Sequence, residues 1–126
     1  YADQAGINVT VENHGGFSSI PEYFVMLAKQ VGHPRFGLLP DYGNFEEGAD
    51  RYKALEMSMP YAKAVSVKCR DFDENGKHDA WDLDRMVKIT FAPGYRGFMG
   101  IEAGSKERRH YDNIRACRDL LLKYKV

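Results

Sequence analysis

The sequence predicts an α/β fold in which four strand–helix units follow one another along a parallel sheet. Four short apolar runs each end in a charged residue, and a segment with helical periodicity follows each run. These charged residues lie about 30 residues apart, the length of one strand with its crossover helix. Because the carboxyl ends of parallel strands meet at one edge of the sheet, we expect four side chains to converge there: Glu12, Asp41, Lys68 and Glu102.

The first unit is predicted to be a strand from about residue 8 to 13, followed by a helix. Ser19 and Glu22 have the spacing of a capping box, which predicts that the helix starts at Ser19. Gly32 and Pro34 are predicted to end it. The residues at helical spacing, which predict its apolar face, are Ile20, Tyr23, Phe24, Leu27, Ala28 and Val31.

The second and third units have the same order. A strand over about 36–41 precedes a helix around 49–57, which Pro60 is predicted to end. A strand over about 64–69 then leads into a long polar loop with a turn signal at Asn75-Gly76. Asp82 is predicted to cap the third helix, whose predicted inner face is Leu83, Met86, Val87, Thr90 and Phe91.

The fourth unit is predicted as a strand over about 97–103 and a terminal helix from roughly Ser105. The predicted buried stripe of that helix is Tyr111, Ile114, Cys117, Leu121 and Tyr124. No shift in composition divides the chain, so residues 1–126 are predicted to form a single domain. The chain lacks an initiator methionine, which suggests a fragment, a processed chain or an engineered chain.

The charge balance excludes several classes of partner. Basic and acidic residues both number 18, so no electrostatic footprint for nucleic acid or a membrane surface is expected. The short cationic patches at 106–109 and 123–125 are interpreted as solvated helix faces. Cys69 and Cys117 lack metal-ligand spacing, so we expect buried, reduced thiols in a cytoplasmic protein, with a secreted origin left open.

The two faces of each predicted strand differ, and this favours a barrel over an open sheet. In the third strand, Ser66 and Lys68 share one face while Val65 and Val67 share the other. The first and fourth strands have the same pattern. A strand covered by helices on both sides should be apolar on both faces, whereas a barrel strand packs helices on one face only.

Three carboxylates and one lysine at the mouth of a barrel would need compensation for their burial. A divalent cation of the Mg²⁺ or Mn²⁺ class would provide it and would polarise an oxygen of a sugar substrate. The alternative is that these are ordinary loop charges, salt-bridged or solvated. His14 lies on the face of Glu12. It is either a hydrogen-bond donor to a substrate hydroxyl or a loop histidine that is hydrogen-bonded to the backbone. Asn44 is either a substrate contact or a turn residue.

Taken together, these segments resemble the xylose-isomerase-like (β/α)8 barrels, which are sugar phosphate isomerases and epimerases with inosose dehydratase and endonuclease IV relatives. The resemblance implies that the chain is the C-terminal half of a TIM barrel, equivalent to strands five to eight. The matching segments are Val11-Glu12-Asn13-His14-Gly15-Gly16, Asp41-Tyr42-Gly43-Asn44, Val67-Lys68-Cys69-Arg70-Asp71-Phe72-Asp73 and Gly94-Tyr95-Arg96-Gly97-Phe98-Met99-Gly100-Ile101-Glu102.

The resemblance also implies roles for individual residues. Glu12, Asp41 and Glu102 match three of the family's four metal ligands, and Glu12 and Glu102 match the acid/base pair that moves a proton between adjacent sugar carbons. The fourth ligand position, a histidine in the family, is Lys68 here. An ammonium has no lone pair, so we expect weak metal binding or none. The residues predicted to contact the carbohydrate are His14, Asn44, Lys68 and Arg70.

A half barrel would leave two open sheet edges and an exposed interior face. We therefore expect the chain either to form a homodimer that completes an eight-stranded barrel or to be part of a longer chain that supplies the N-terminal half. The predicted function is that of a sugar or sugar phosphate isomerase or epimerase. The alternative is a non-catalytic half barrel that self-associates and has a degenerate metal site.

Overall fold

The fold was obtained as a computed structural model that describes residues 1–105 and 109–124. Within these residues, four strands alternate with four α-helices, as the sequence predicts. In chain order they are β1 (Val9–Glu12), α1 (Pro21–Val31), β2 (Phe36–Leu39), α2 (Arg51–Ser58), β3 (Ala64–Cys69), α3 (Leu83–Phe91), β4 (Phe98–Ala103) and α4 (His110–Leu122).

The strands are parallel and follow one another in chain order. β1 pairs with β2, and β3 pairs with β4 in a register that places Lys68 opposite Glu102. Two parallel bridges, Leu38 with Ala62 and Asp41 with Ser66, connect the two pairs. β1 and β4 are therefore the edges of a (β/α)4 half barrel, which confirms the predicted fold class.

The alternation of faces along β3 follows the prediction. Val65, Val67 and Cys69 are buried, whereas Ser66 and Lys68 on the other face are partly exposed. Helices cover the aliphatic face, so the polar face lies on the interior side of the half barrel. This arrangement directs Lys68 toward the residues at the ends of the neighbouring strands.

The hydrophobic core lies between the sheet and the helices. Tyr42, which follows β2, is fully buried, and its hydroxyl is hydrogen-bonded to Thr90 Oγ1 of α3 at 2.6 Å. Burial raises the pKa of the Tyr42 phenol, so the group is neutral in the core. This contact fixes the loop after β2 against α3. The other large buried side chains include Phe24, Leu38, Leu55, Val65, Val67, Met86 and Val87.

The start of α1 differs from the prediction. Ser19 lies in a short 3₁₀ turn (Gly16–Ser19), where its Oγ accepts a hydrogen bond from the Gly15 N–H, and α1 begins at Pro21 without a side-chain cap. The capping box is therefore wrong, because proline is preorganised for the first helical position. Helix α1 packs on β2 and α2 and buries Phe24, Val25 and Ala28. The predicted stripe members Tyr23 and Val31 are exposed.

The terminal helix also differs from its prediction. It begins at His110 rather than near Ser105, and residues 106–108, which include most of the first cationic patch, lie outside the described residues, as do 125–126. Tyr111 is 78% exposed and Ile114 is 38% exposed. Asn113 is buried instead, because its Nδ2 donates to Asp71 Oδ1 and to the Gly104 carbonyl. The prediction held for Cys117, which is fully buried.

Helices α2 and α3 follow the sequence more closely. Asp50 caps α2, and Asp82 caps α3 by accepting a hydrogen bond from the Arg85 N–H. The buried residues of α3 are Leu83, Met86, Val87 and Thr90. Both cysteines are buried and free. Among the described residues, every helix is too short or too polar to traverse a bilayer.

Candidate active site at the carboxyl ends of the strands

Three carboxylates meet at the carboxyl ends of the strands. Glu12 ends β1, Asp41 lies two residues beyond β2, and Glu102 lies near the end of β4. One carboxylate oxygen from each of the three lies within 4.8 Å of the others. The regular spacing of strand–helix units thus brings together residues that are far apart in the chain, as the sequence predicts.

Lys68 lies among these carboxylates. Its Nζ is 3.0 Å from Glu102 Oε1 and 3.7 Å from Asp41 Oδ1. The same ammonium donates a hydrogen bond to Asn44 Oδ1 at 2.8 Å. Lys68 therefore places a positive charge between two of the three acids and is itself mostly buried.

Asn44 connects Lys68 to the remaining acid. Its Nδ2 donates to Glu12 Oε1 at 3.2 Å, while its Oδ1 accepts from Lys68. Ser66 extends the network at the other end by donating to Glu102 Oε2 at 3.3 Å. A continuous polar chain therefore crosses the interior face from β1 to β4.

Asp41 is the most buried of the acids. Its Oδ1 accepts a hydrogen bond of 2.8 Å from the Gly43 N–H, while its Oδ2 has no hydrogen-bond partner within the described part of the chain. Burial raises the pKa of the Asp41 carboxyl, against the opposing effect of Lys68. By contrast, the hydrogen bond from Lys68 lowers the pKa of Glu102. The environment thus disfavours the charged form of Asp41 and favours the charged form of Glu102.

Gly43 allows Lys68 to approach this closely. A Cβ at position 43 would lie 2.5 Å from Lys68 Cδ and 3.1 Å from Trp81 Cη2. Any side chain there would displace the lysine from its position beside Asp41. The glycine is therefore required by a close approach between three segments of the chain.

The donor set fits a divalent cation in part. Three converging carboxylates are ligands that hard cations prefer, and Asp41 also has a buried Oδ2 without a hydrogen-bond partner among the described residues. Glu12, Asp41 and Glu102 could therefore hold a metal ion. Lys68 opposes this, because its ammonium already neutralises Asp41 and Glu102 and provides no lone pair.

The two remaining predicted site residues lie beside the cluster. His14 is exposed and lines a cleft of about 760 Å³ that Asn44 also lines. A second cleft of about 380 Å³ lies on the interior face, with Glu12 and Glu102 in its wall. Arg70 is exposed, with its guanidinium 5.7 Å from the centroid of the Trp81 ring.

The sequence did not reveal several residues of this region. The buried side chain of Asn13 accepts from the Asp41 N–H at 2.6 Å and donates to the Asp41 carbonyl at 3.0 Å. The available signal was a polar residue directly after Glu12, on the aliphatic face of the strand. Ser66 was assigned to the interior face without a role. Arg51 and Trp81 gave no local signal, because only the fold brings them near Gly43.

The comparisons with known proteins bear on the fold. No family model matches the chain, and no curated protein sequence matches it. The chain is similar to the crystal structure of the probable 3-DHS dehydratase AsbF, involved in petrobactin synthesis, from Bacillus anthracis. That match has a TM-score of 0.66 at 15% sequence identity and covers 98% of this chain and 51% of the other.

This similarity defines the class of fold. The architecture is that of half of a (β/α)8 barrel, of which the described chain forms four consecutive strand–helix units. The chain spans about half the length of the structure that it matches. At this level of identity the similarity applies to the fold alone.

Proposed function

We propose that this chain is the C-terminal half of a sugar or sugar phosphate isomerase or epimerase, which moves a proton between adjacent carbons of a carbohydrate. The observation that carries the proposal is that Glu12 and Glu102 converge from opposite edges of the sheet. One carboxylate oxygen from each, and one from Asp41, all lie within 4.8 Å of one another. Lys68 and Asn44 connect them. Two bases that face one site from different directions suit removal of a proton from one carbon and its delivery to the next.

The chemistry assigns different tasks to the charged groups. Glu102, with its pKa lowered by Lys68, is ionised at neutral pH and serves as a base. Glu12, hydrogen-bonded to Asn44, is the second proton-transfer group. The Lys68 ammonium and the Asn44 amide are the donors that would orient a carbonyl or hydroxyl oxygen of the substrate.

A divalent cation, Mn²⁺ or Mg²⁺, is the cofactor that this proposal includes. Glu12, Asp41 and Glu102 would hold it, and when bound it would polarise a substrate oxygen. Lys68 stands where a further ligand is expected, so binding should be weak in the native chain. The name of the matched protein is that of a dehydratase. This supports an enzymatic role for the fold, whereas the carbohydrate substrate of this chain is our own inference.

Solvent exchange provides the test. The chain would be incubated in D₂O with aldoses, ketoses and their phosphates, with and without Mn²⁺, and exchange of the C–H adjacent to the carbonyl would be followed by proton NMR. We expect exchange with at least one substrate and a loss of about 10²-fold or more in Glu12→Gln and in Glu102→Gln. Glu56→Gln, an exposed change on α2, is the control. Exchange that is equal in all three variants would refute the proposal.

A second candidate role is self-association without catalysis, and the exposed edges favour it. Phe98 at the start of β4 is 88% exposed, and Val9 and Ile7 at the β1 edge are about half exposed. The structure that matches is twice as long, so in it a second half is available to cover these edges. A second copy, or the remainder of a longer chain, would do the same here.

Light scattering after gel filtration distinguishes these arrangements. A homodimer is the expected state, and Phe98→Lys should convert it toward monomer by placing a charge in the edge contact. Tyr111→Lys, at an equally exposed aromatic on α4, is the control and should leave the mass unchanged. A stable monomer at concentrations of about 10⁻⁴ M would contradict closure by a second copy, since obligate interfaces are far tighter.

A further inference from the structure

Arg51, Arg70 and Trp81 form a second group of side chains next to the carboxylate cluster. Arg51 is the first residue of α2, Arg70 follows β3, and Trp81 precedes α3. The guanidinium carbons of Arg51 and Arg70 lie 4.6 and 5.7 Å from the centroid of the Trp81 ring. Two cations from different segments therefore gather around one indole.

Neither cation forms a direct ion pair with a carboxylate among the described residues. Arg51 Nη1 donates to the Tyr42 carbonyl at 2.7 Å. Partial burial lowers the pKa of Arg51 and the charge of Arg70 adds to this effect, whereas Tyr52 and Asp41 oppose it. Two neighbouring like charges, one of them partly desolvated, are unfavourable without an anion between or beside them.

Trp81 adds an unused donor to this group. The residue is 8% exposed, and its Nε1–H has no hydrogen-bond partner within the described part of the chain. Buried indole N–H groups usually have an acceptor. A ligand oxygen would provide one.

The group is also adjacent to the candidate active site. Trp81 and Lys68 both pack closely against Gly43. A Cβ at that glycine would lie 3.1 Å from Trp81 Cη2 and 2.5 Å from Lys68 Cδ. A substrate that reaches Lys68 is thus within a short distance of the indole and its two guanidiniums. Arginine is well suited to this task because its planar fork binds oxyanions through paired hydrogen bonds.

We propose that Arg51, Arg70 and Trp81 form an oxyanion subsite that binds a phosphate monoester or carboxylate group of the substrate. This deepens the proposed function, on which it rests, because it assigns an anionic rather than a neutral carbohydrate to the site. It also gives Arg70 a specific task. Arg51 and Trp81 become specificity-determining residues of the same subsite.

Trp81 is the single tryptophan of the chain, so its fluorescence reports directly on this subsite. The native chain would be titrated with sodium phosphate and, separately, with sodium acetate, at an ionic strength held constant with sodium chloride. We expect a saturable change with at least one of the two anions. Saturation by phosphate alone assigns a phosphate monoester, and saturation by acetate alone assigns a carboxylate.

Variants make the assignment specific. Arg51→Gln and Arg70→Gln should each weaken anion binding about tenfold or more, and Arg51→Lys should retain part of it. Arg115→Gln, which removes the same charge from an exposed pair on α4, should have no effect. Circular dichroism melting of each variant verifies that it is folded. A response that fails to saturate with both anions, or that is equal in Arg51→Gln and Arg115→Gln, would overturn the proposal.

The outcome is independent of catalysis. Glu102→Gln should abolish proton exchange and still bind the anion, because Glu102 belongs to the other cluster. Anion binding without exchange would therefore support the subsite and count against the isomerase function. Exchange without anion binding would support the isomerase function and count against the subsite.

Discussion

Lys68 and Glu102 face each other across the β3–β4 register, and Lys68 Nζ lies 3.0 Å from Glu102 Oε1. The pair lies at the mouth of the half barrel, where Asp41 and Glu12 complete a cluster of three acids. Asp41 and Glu102 pair with the Lys68 ammonium directly, and Glu12 is connected to it through Asn44. The positive charge beside these acids is therefore a side chain of the protein, the Lys68 ammonium. This feature determines what the site can bind and how its acids titrate.

Removal of the Asp41 charge should stabilise the fold at neutral pH. Burial raises the pKa of Asp41 in the folded chain above its ordinary value of 3.8, so the unfolded chain loses this proton first as the pH rises. The carboxyl consequently costs stability progressively from about pH 3.8 upward, until the pH exceeds the folded pKa. We expect Asp41→Asn to be more stable than the native chain by a margin that grows over this range.

Urea unfolding at a series of pH values measures that margin. Asp112→Asn, a change at an exposed acid paired with Arg115, is the control for loss of a negative charge. If the native and Asp41→Asn free energies of unfolding run parallel with pH, Asp41 is not desolvated as described.

His78 should make the fold sensitive to mild acid. Its Nε2 accepts a hydrogen bond of 2.8 Å from the Arg70 N–H, and burial lowers the pKa of its imidazole below the ordinary 6.5. The unfolded chain therefore binds a proton first as the pH falls through 6.5, and stability declines from that pH downward until the folded pKa is passed.

His78→Gln should remove most of this slope between pH 7.5 and 5.5, measured as the change in unfolding free energy with pH. His110→Gln, at the exposed start of α4, should retain it. Equal slopes in both variants would contradict the assignment.

Loss of the Asn13 amide should destabilise the fold, because this side chain holds the backbone of Asp41. The side chain is fully buried and satisfies both the N–H and the carbonyl of Asp41. Asn13→Ala leaves these two groups without partners and should cost about 2–4 kcal/mol in unfolding free energy. Asn8→Ala, an exposed change before β1, should stay within about 0.5 kcal/mol. A small effect at Asn13 would mean that water replaces the amide readily.

Addition of one methyl group at Gly43 should displace Lys68. The new Cβ would lie 2.5 Å from Lys68 Cδ, so Gly43→Ala should destabilise the chain by about 1–3 kcal/mol and disrupt the bond to Asn44. Gly100→Ala is a matched control, because its Cβ would lie 3.9 Å from the Val65 carbonyl, an ordinary contact. Thermal unfolding compares the two variants. Equal losses would indicate that Lys68 is not held against Gly43.

The sequence predicted the features that depend on local pattern. The bounds of β3, its two faces and the inner face of α3 follow from periods of 2 and 3.6, and the structure confirms them, with Phe91 of α3 partly rather than fully buried. The convergence of Glu12, Asp41 and Glu102 followed from the regular length of the strand–helix units. These predictions needed no knowledge of which helix packs on which strand.

The predictions that failed depended on tertiary surroundings. Tyr111 and Ile114 of α4 are exposed because α4 lies at an open edge of the sheet, where it packs mainly on β4. The capping box at Ser19 failed because Pro21 starts α1 and the Ser19 Oγ accepts a hydrogen bond from the Gly15 N–H instead. Arg51 and Trp81 gave no signal, because residues 30 apart become neighbours only through the fold.

Metal affinity of a Lys68→His variant tests the central claim most directly. If the three carboxylates converge beside the Lys68 ammonium, replacement of that charge by an imidazole should complete a four-ligand site. We expect Mn²⁺ binding, measured by isothermal titration calorimetry, to tighten by about tenfold or more relative to the native chain. The same variant with Glu102→Gln added should lose the gain. A folded Lys68→His variant that binds Mn²⁺ no better than the native chain would contradict the convergence of these carboxylates.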